Sequence, residues 1–154
     1  MKVPQEKVRR EMKIQTLIKD KDVRTIAAHD SVKYLVECLN TYHVGALVVS
    51  PNGKTIDGIV SERDIVRALP GKFDMIEDFH VRDIMTVEVY TCTADSTVAE
   101  LMSMMTAKRI RHVPVVDENG DLLSIVSIGD VVKHHLNEIS LENQTLKEYV
   151  SSAH

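Results

Sequence analysis

The apolar residues of this chain fall in short runs whose period changes every few positions. Residues 23–27 form a brief β-branched stretch, and after His29-Asp30-Ser31 the positions Val32, Leu35, Val36, Leu39 and Tyr42 keep helical spacing, so a strand is expected to lead into a helix. Two apolar runs follow, at 46–49 and 56–60. They are joined by Ser50-Pro51-Asn52-Gly53-Lys54, whose Asn-Gly pair favours a tight turn with positive φ, so they read as a hairpin. At Ser61 a helical pattern begins again, with Ile65, Val66 and Leu69 apolar, until Pro70-Gly71 ends it.

The same order then returns. Residues 23–69 reappear as 89–135 at a constant offset of 66, without a gap, with identities at Val23/Val89, Thr25/Thr91, Ala28/Ala94, Val32/Val98, Leu35/Leu101, Val49/Val115, Ile59/Ile125, Val60/Val126, Ser61/Ser127, Asp64/Asp130 and Val66/Val132. Most of these positions suit packing alone; the Ser and Asp pairs are polar, and function is to be sought around them. The fold class is therefore α/β (α+β), two β-α-β-β-α units. Five segments follow: a charged tail or helix at 1–14, a first unit at 15–70, a linker at 71–80, a second unit at 81–136 and an amphipathic helix at 137–154. In the linker, Phe73, Met75, Ile76 and Phe79 interrupt polar residues and suggest a packed short helix. In the last segment, Leu141, Leu146, Tyr149 and Val150 suit a helix lying on its own domain or on a partner.

At 154 residues the chain is long enough for a core without covalent staples. With no Trp, two Phe and seven Met, that core is aliphatic. A net charge of −4 argues against binding nucleic acid through overall charge, while leaving room for a local basic pocket. No apolar run suits a membrane span or a signal peptide, so a cytoplasmic protein is expected. Cys38 and Cys92 are isolated and read as buried thiols rather than a disulfide or CxxC motif.

Each unit ends in a strand followed by Ser-x-x-Asp at a helix start, GIVSERDIV at 58–66 and SIVSIGDVV at 124–132. This is a helix-capping pattern, in which the hydroxyl accepts a backbone N–H and the carboxylate suits the positive helix end. It is equally a place where a hydroxyl and exposed N–H groups hold a phosphate while a carboxylate accepts from ribose hydroxyls. Both readings can hold at once. Arg63, Arg109, Arg111 and His112 gather nearby, and the arginine fork suits phosphate, although cationic helix ends are also ordinary solvated surface. His134 and His135 are neighbours on a helix and cannot face one metal together. No nucleophile motif, zinc motif or Walker loop is present, so neither a catalytic nor a metal site is expected.

Taken in order, VGALVV and SPNGKTIDGIVSERDIVRAL in one half, IRHVPVVDENGDLLSIVSIGDVV in the other, and VRDIMT at 81–86 between them resemble the cystathionine β-synthase (CBS) domain family over about residues 15–136. The resemblance implies one CBS pair, or Bateman module, with a pseudo-twofold axis, two clefts for adenosine-containing ligands and a homodimer in the form of a flat disc. Carried onto this chain, one cleft would use Ser61 and Asp64 with Val89, Arg111, His112 and Arg82, and with Arg63 inside the motif. The other would use Ser127 and Asp130 with Val23, Arg24, Gly45, Ala46 and Lys19. In each, Asp would hold the ribose, Ser and the cations the phosphate, and apolar strand edges the adenine. AMP is the first choice and NAD the second, with ATP, ADP and S-adenosylmethionine sharing the adenosine. Ser124 in place of Gly58, Val48 in place of Pro114, and Gly45-Ala46 in place of Arg111-His112 imply unequal clefts. A regulatory or sensor module acting on another protein is the leading expectation, and a nucleotide-independent interaction scaffold is the alternative.

Overall fold

The computed structural model describes residues 11–153. In chain order its elements are α1 (Gln15–Ile18), β1 (Thr25–Ile26), α2 (Val32–Tyr42), β2 (Ala46–Val49), β3 (Gly58–Ser61), α3 (Glu62–Ala68), a 3-10 turn (Phe73–Asp78), α4 (Val81–Ile84), β4 (Cys92–Thr93), α5 (Val98–Lys108), β5 (His112–Val116), β6 (Leu122–Ser127) and α6 (Ile128–Ser152). Two three-stranded sheets result, ordered β1-β2-β3 and β4-β5-β6. In each, the first pair is parallel and the second antiparallel. The expected β-α-β-β-α order holds in both halves, and the linker does carry a short helix. Among the described residues no helix is long and apolar enough to cross a membrane.

Local chemistry sets the boundaries. Ser31 caps α2 by accepting from Tyr34 N at 3.0 Å. Thr97 and Glu100 cap α5 reciprocally, with Thr97 Oγ1 accepting at 3.1 Å and the Glu100 carboxylate accepting from Thr97 N at 2.9 Å. Both helices stop at a left-handed residue, His43 (φ 53°) and Arg109 (φ 55°). The two Asn-Gly turns bring Gly53 and Gly120 to φ 77° and 80°, as the turn chemistry demands. Pro114 sits in the central strand β5 without breaking it. β4 pairs only with Val115 and Val116, so the position lacking an N–H lies beyond the end of that ladder.

The core is organised by an exchange. Ile14, fully buried, packs with Leu101, Met105, Val113, Val115, Val126 and Val131 of the second unit, and Leu17 and Ile18 of α1 pack on the same cluster. Val81 of α4, also fully buried, packs with Leu35, Leu39, Leu47, Val49 and Val60 of the first unit, joined by Ile84 and Met85. Backbone bonds fix both crossings: Ile14 N donates to Ser96 O at 2.9 Å, and Val81 N to Asp30 O at 2.9 Å. The donors stand 67 residues apart and the acceptors 66. The first unit therefore carries one extra residue between α1 and β1. Of the tail expected over 1–14, residues 1–10 lie outside the described residues, while Lys13 bridges to Thr97 and Ile14 is core.

The departure at Gly58 and Ser124 has a packing cause. A Cβ on Gly58 would lie 2.7 Å from Thr86 O, because Ile59 and Thr86 exchange backbone bonds there. Ser124 meets no such neighbour, but its buried Oγ has no hydrogen-bond partner among the described residues. Gly58→Ala is expected to destabilise by about 1–3 kcal/mol through forced backbone movement, whereas Ser124→Ala, which removes an unpaired buried hydroxyl, is expected to be neutral or stabilising. Thermal denaturation of the two variants checks this ordering, and equal losses would contradict it.

Candidate functional site

Two features of the first unit open a cleft. The register Ala46↔Ser61 places the start of β2 beside the end of β3, and Glu62 N donates to Gly45 O at 3.0 Å, so α3 begins against Gly45-Ala46. The cleft encloses about 600 Å³ between this helix start and the segments 86–90 and 108–112 of the second unit. At its floor the Ser61 N–H and Oγ both donate to Asp64 Oδ2, at 2.8 and 3.1 Å. Asp64 Oδ1 has no protein donor among the described residues. Arg63 reaches across, its Nη1 donating to Arg109 O at 3.3 Å.

The cleft is cationic in an acidic chain. Arg63, Arg67, Lys108, Arg109 and Arg111 line it against Glu62, Asp64 and Glu88. Lys108 lies over the Tyr90 ring, 4.9 Å from its centroid, so one wall pairs an aromatic face with an ammonium group. His112 stands between the two helix starts. It pairs with Ser127 in the β5-β6 ladder, and a Cβ on Gly45 would come within 3.3 Å of its ring. Burial holds its imidazole below the ordinary value, overcoming the pull of Asp130 and Glu62 toward protonation; Lys21 and Arg111 act in the same direction as burial. The neutral ring is thus the form the fold favours.

In the second unit the equivalent carboxylate is engaged from within the chain. Ser127 N and Oγ donate to Asp130 Oδ2 at 2.8 and 2.9 Å, and Asp130 N donates back to Ser127 Oγ at 3.2 Å. Lys21 Nζ also donates to Asp130 Oδ2, and to Ile125 O at 3.0 Å. In the first unit the matching carbonyl, Ile59 O, accepts instead from Thr86 N at 2.9 Å. The extra residue between α1 and β1 therefore replaces a backbone bridge with a lysine side chain. Burial disfavours the charge on Asp130, but Lys21 and the Ser127 donors outweigh it and hold the carboxyl below its ordinary value. Arg24 lies 4.1 Å over the Tyr42 ring. This is the Lys108-Tyr90 contact of the first cleft with cation and ring exchanged, since 24 corresponds to 90 and 42 to 108.

Of the residues expected from the sequence, the structure brings Ser61, Arg63, Asp64, Val89, Arg111 and His112 into one cleft. Gly45 and Ala46, expected in the second cleft, line the first, because the β2-β3 ladder ties them to Ser61. Arg82 is exposed on α4, where its backbone N–H donates to Ala28 O at 2.9 Å, and it does not line this cleft. Lys19 is exposed at the end of α1, and Val23 is half-buried ahead of β1. Lys21, Arg67, Glu88, Tyr90 and Lys108 were not anticipated. For Tyr90 and Lys108 the signal was available in the repeat, as the reversed counterpart of Arg24 and Tyr42. Cys92 is buried, which pushes its thiol up to about 11 and keeps it protonated in the core.

The Lys21 and Asp130 side chains are 33% and 28% exposed, between a surface pair and a buried one, so Lys21→Ala is expected to lower stability at pH 7 by about 1–2 kcal/mol. Because Asp130 titrates lower when folded, the wild-type advantage is complete above the ordinary carboxylate range and shrinks below about pH 4. Melting curves across pH check it; an unchanged melting temperature at pH 7 would contradict it. His112 acts in the same direction at higher pH, because its folded value is also lowered. The unfolded chain binds its proton more readily, so wild-type stability falls as pH drops below about 6.5, and His112→Gln is expected to flatten that slope.

Comparison with known proteins agrees with this architecture. A family model described as the CBS domain matches residues 16–71 and again 81–137. A mitochondrial CBS domain-containing protein of Arabidopsis thaliana, CBSX3, is 36% identical over 129 residues, covering 81% of this chain and 62% of its own length. The chain thus spans about three fifths of that relative. Among solved structures, the CBS-domain containing protein ATU1752 from Agrobacterium tumefaciens superposes with a TM-score of 0.75 at 38% identity, covering 80% of this chain and 99% of that one. The CBS domain protein PAE2072 from Pyrobaculum aerophilum, solved in complex with AMP, gives a TM-score of 0.70 at 26% identity and covers 77% of this chain and 89% of its own. With two matched copies, their helices exchanged across two sheets, this chain belongs to the CBS domain family as a tandem pair.

Proposed function

We propose that the first cleft binds an adenosine phosphate, AMP foremost and NAD second, and that occupancy shifts a conformational or association equilibrium of this protein or of a protein it regulates. The observation that carries the reading is the unlike state of two equivalent carboxylates. Asp64 opens onto a cationic cleft with no salt-bridge partner among the described residues, while Asp130 is held by Lys21. In the first cleft Asp64 accepts from the ribose hydroxyls. Ser61, Arg63, Arg111 and His112 surround the phosphate. Val89 and the start of β2 offer apolar edges to the base. The AMP held by the Pyrobaculum relative supports this ligand class. A ligand that binds one state more tightly shifts the population toward it, which is how such a cleft regulates without catalysis.

The reading includes a homodimer. Val66 on α3 and Ile128 and Val132 on α6 are 63%, 46% and 51% exposed, apolar surface that a second copy would remove from water.

Calorimetric titration with AMP, NAD, ADP, ATP and S-adenosylmethionine tests the ligand assignment. Binding of AMP is expected to raise the melting temperature by mass action. Asp64→Ala is expected to weaken it by roughly 10- to 100-fold, the worth of charge-assisted hydrogen bonds to the ribose, while Asp130→Ala chiefly affects stability. No heat and no melting shift with any of the five would leave the nucleotide-independent scaffold as the better account.

A further inference from the structure

Beyond Val131, which is buried, α6 leaves the body of the protein, and every residue from His135 to Ala153 is exposed. About five turns of helix, roughly 27 Å, therefore stand in solvent. A helix of that length is marginal in water on its own. This one has little to steady it, since no Glu in the stretch stands three or four residues ahead of a Lys. Its apolar residues are not scattered. Val132, Leu136, Ile139, Asn143, Leu146 and Val150 follow at alternating intervals of four and three, the a and d positions of nearly three heptads. The five apolar members are 44–62% exposed, and Asn143, Leu146, Lys147, Val150 and Ser151 border a shallow groove on the same face.

From this face we propose that α6 continues into a parallel, two-stranded coiled coil with the α6 of a second copy of this chain, deepening the homodimer reading above, on which it rests. Three features commit it to that occupant. Asn143 takes an a position, where in a parallel, in-register pair it meets its own twin and their amides bond, a device that selects two strands. Leu136 and Ile139 alone would favour larger bundles, so this residue decides the number. Glu142 takes the g position and Lys147 the following e position, the pair that meets between parallel strands; an antiparallel pair sets g against g and e against e and joins no Glu to a Lys. Leu141, at the outward f position, lies off the seam.

The test uses the full chain, with light scattering for mass and oxidation of introduced cysteines for geometry. Cys38 and Cys92 are buried and do not compete. A dimer mass is expected. Val150→Cys, on the seam, is expected to form an interchain disulfide, and Glu148→Cys, at f, is not. Leu146→Glu is expected to weaken the dimer at least tenfold while far-ultraviolet circular dichroism shows the body still folded, since Leu146 is 62% exposed. Lys147→Glu is expected to weaken the dimer, and adding Glu142→Lys to restore it. A dimer that ignores Leu146→Glu, and that cross-links at 150 no faster than at 148, overturns the coiled coil and leaves the homodimer standing on another face. A monomer at high micromolar concentration overturns both.

Discussion

Neither half of this protein completes its own core. Two fully buried anchors cross between the halves: Ile14, just ahead of the first unit, packs in the second, and Val81, at the start of the second, packs in the first. Burial of an Ile or Val side chain of this kind is worth about 1.5–3 kcal/mol, and here the same burial joins the halves. The exchange sets the geometry of the clefts. Chain leaving α4 must run past β3 to reach β4, so Thr86 bridges to Ile59 and the segment 86–90 becomes a wall of the first cleft. The corresponding chain leaves α1 toward β1 past Ile125 and delivers Lys21 to Asp130.

One residue separates the two outcomes. Where the second copy crosses with a backbone ladder, the first copy has an extra residue, and a flexible ammonium makes the contact to the same carbonyl position. Lys21 supplies Asp130 with an opposite charge and a donor from within the chain. The pseudo-twofold symmetry is kept in the backbone and abandoned in the charges. The reversed aromatic-cation pairs, Arg24 over Tyr42 and Lys108 over Tyr90, show the same economy, with one contact conserved while its two side chains trade places.

Much of this was legible in the sequence. Ser61-Asp64 and Ser127-Asp130 mark the helix starts, Asn-Gly the two hairpin turns, and the ungapped offset of 66 the strand and helix order, because each depends on local backbone chemistry. The exchange of α1 and α4 was hidden, since they align at an offset of 67 and the ungapped repeat stops short of them. Lys21 was hidden for a related reason. It lies among Lys19, Asp20 and Asp22, a run with no period, and only the path of the chain shows which cation reaches Asp130. That Gly45 and Ala46 line the first cleft was hidden too, because it follows from the hairpin register that ties the start of β2 to Ser61.

The central claim is that two equivalent clefts differ in availability, the first open and the second held by its own lysine. A crystal structure of the full chain grown with saturating AMP tests this most directly. The account predicts nucleotide in the first cleft, its ribose on Asp64, with Lys21 still bound to Asp130. Nucleotide in the second cleft with Lys21 displaced, and the first cleft empty, would contradict it.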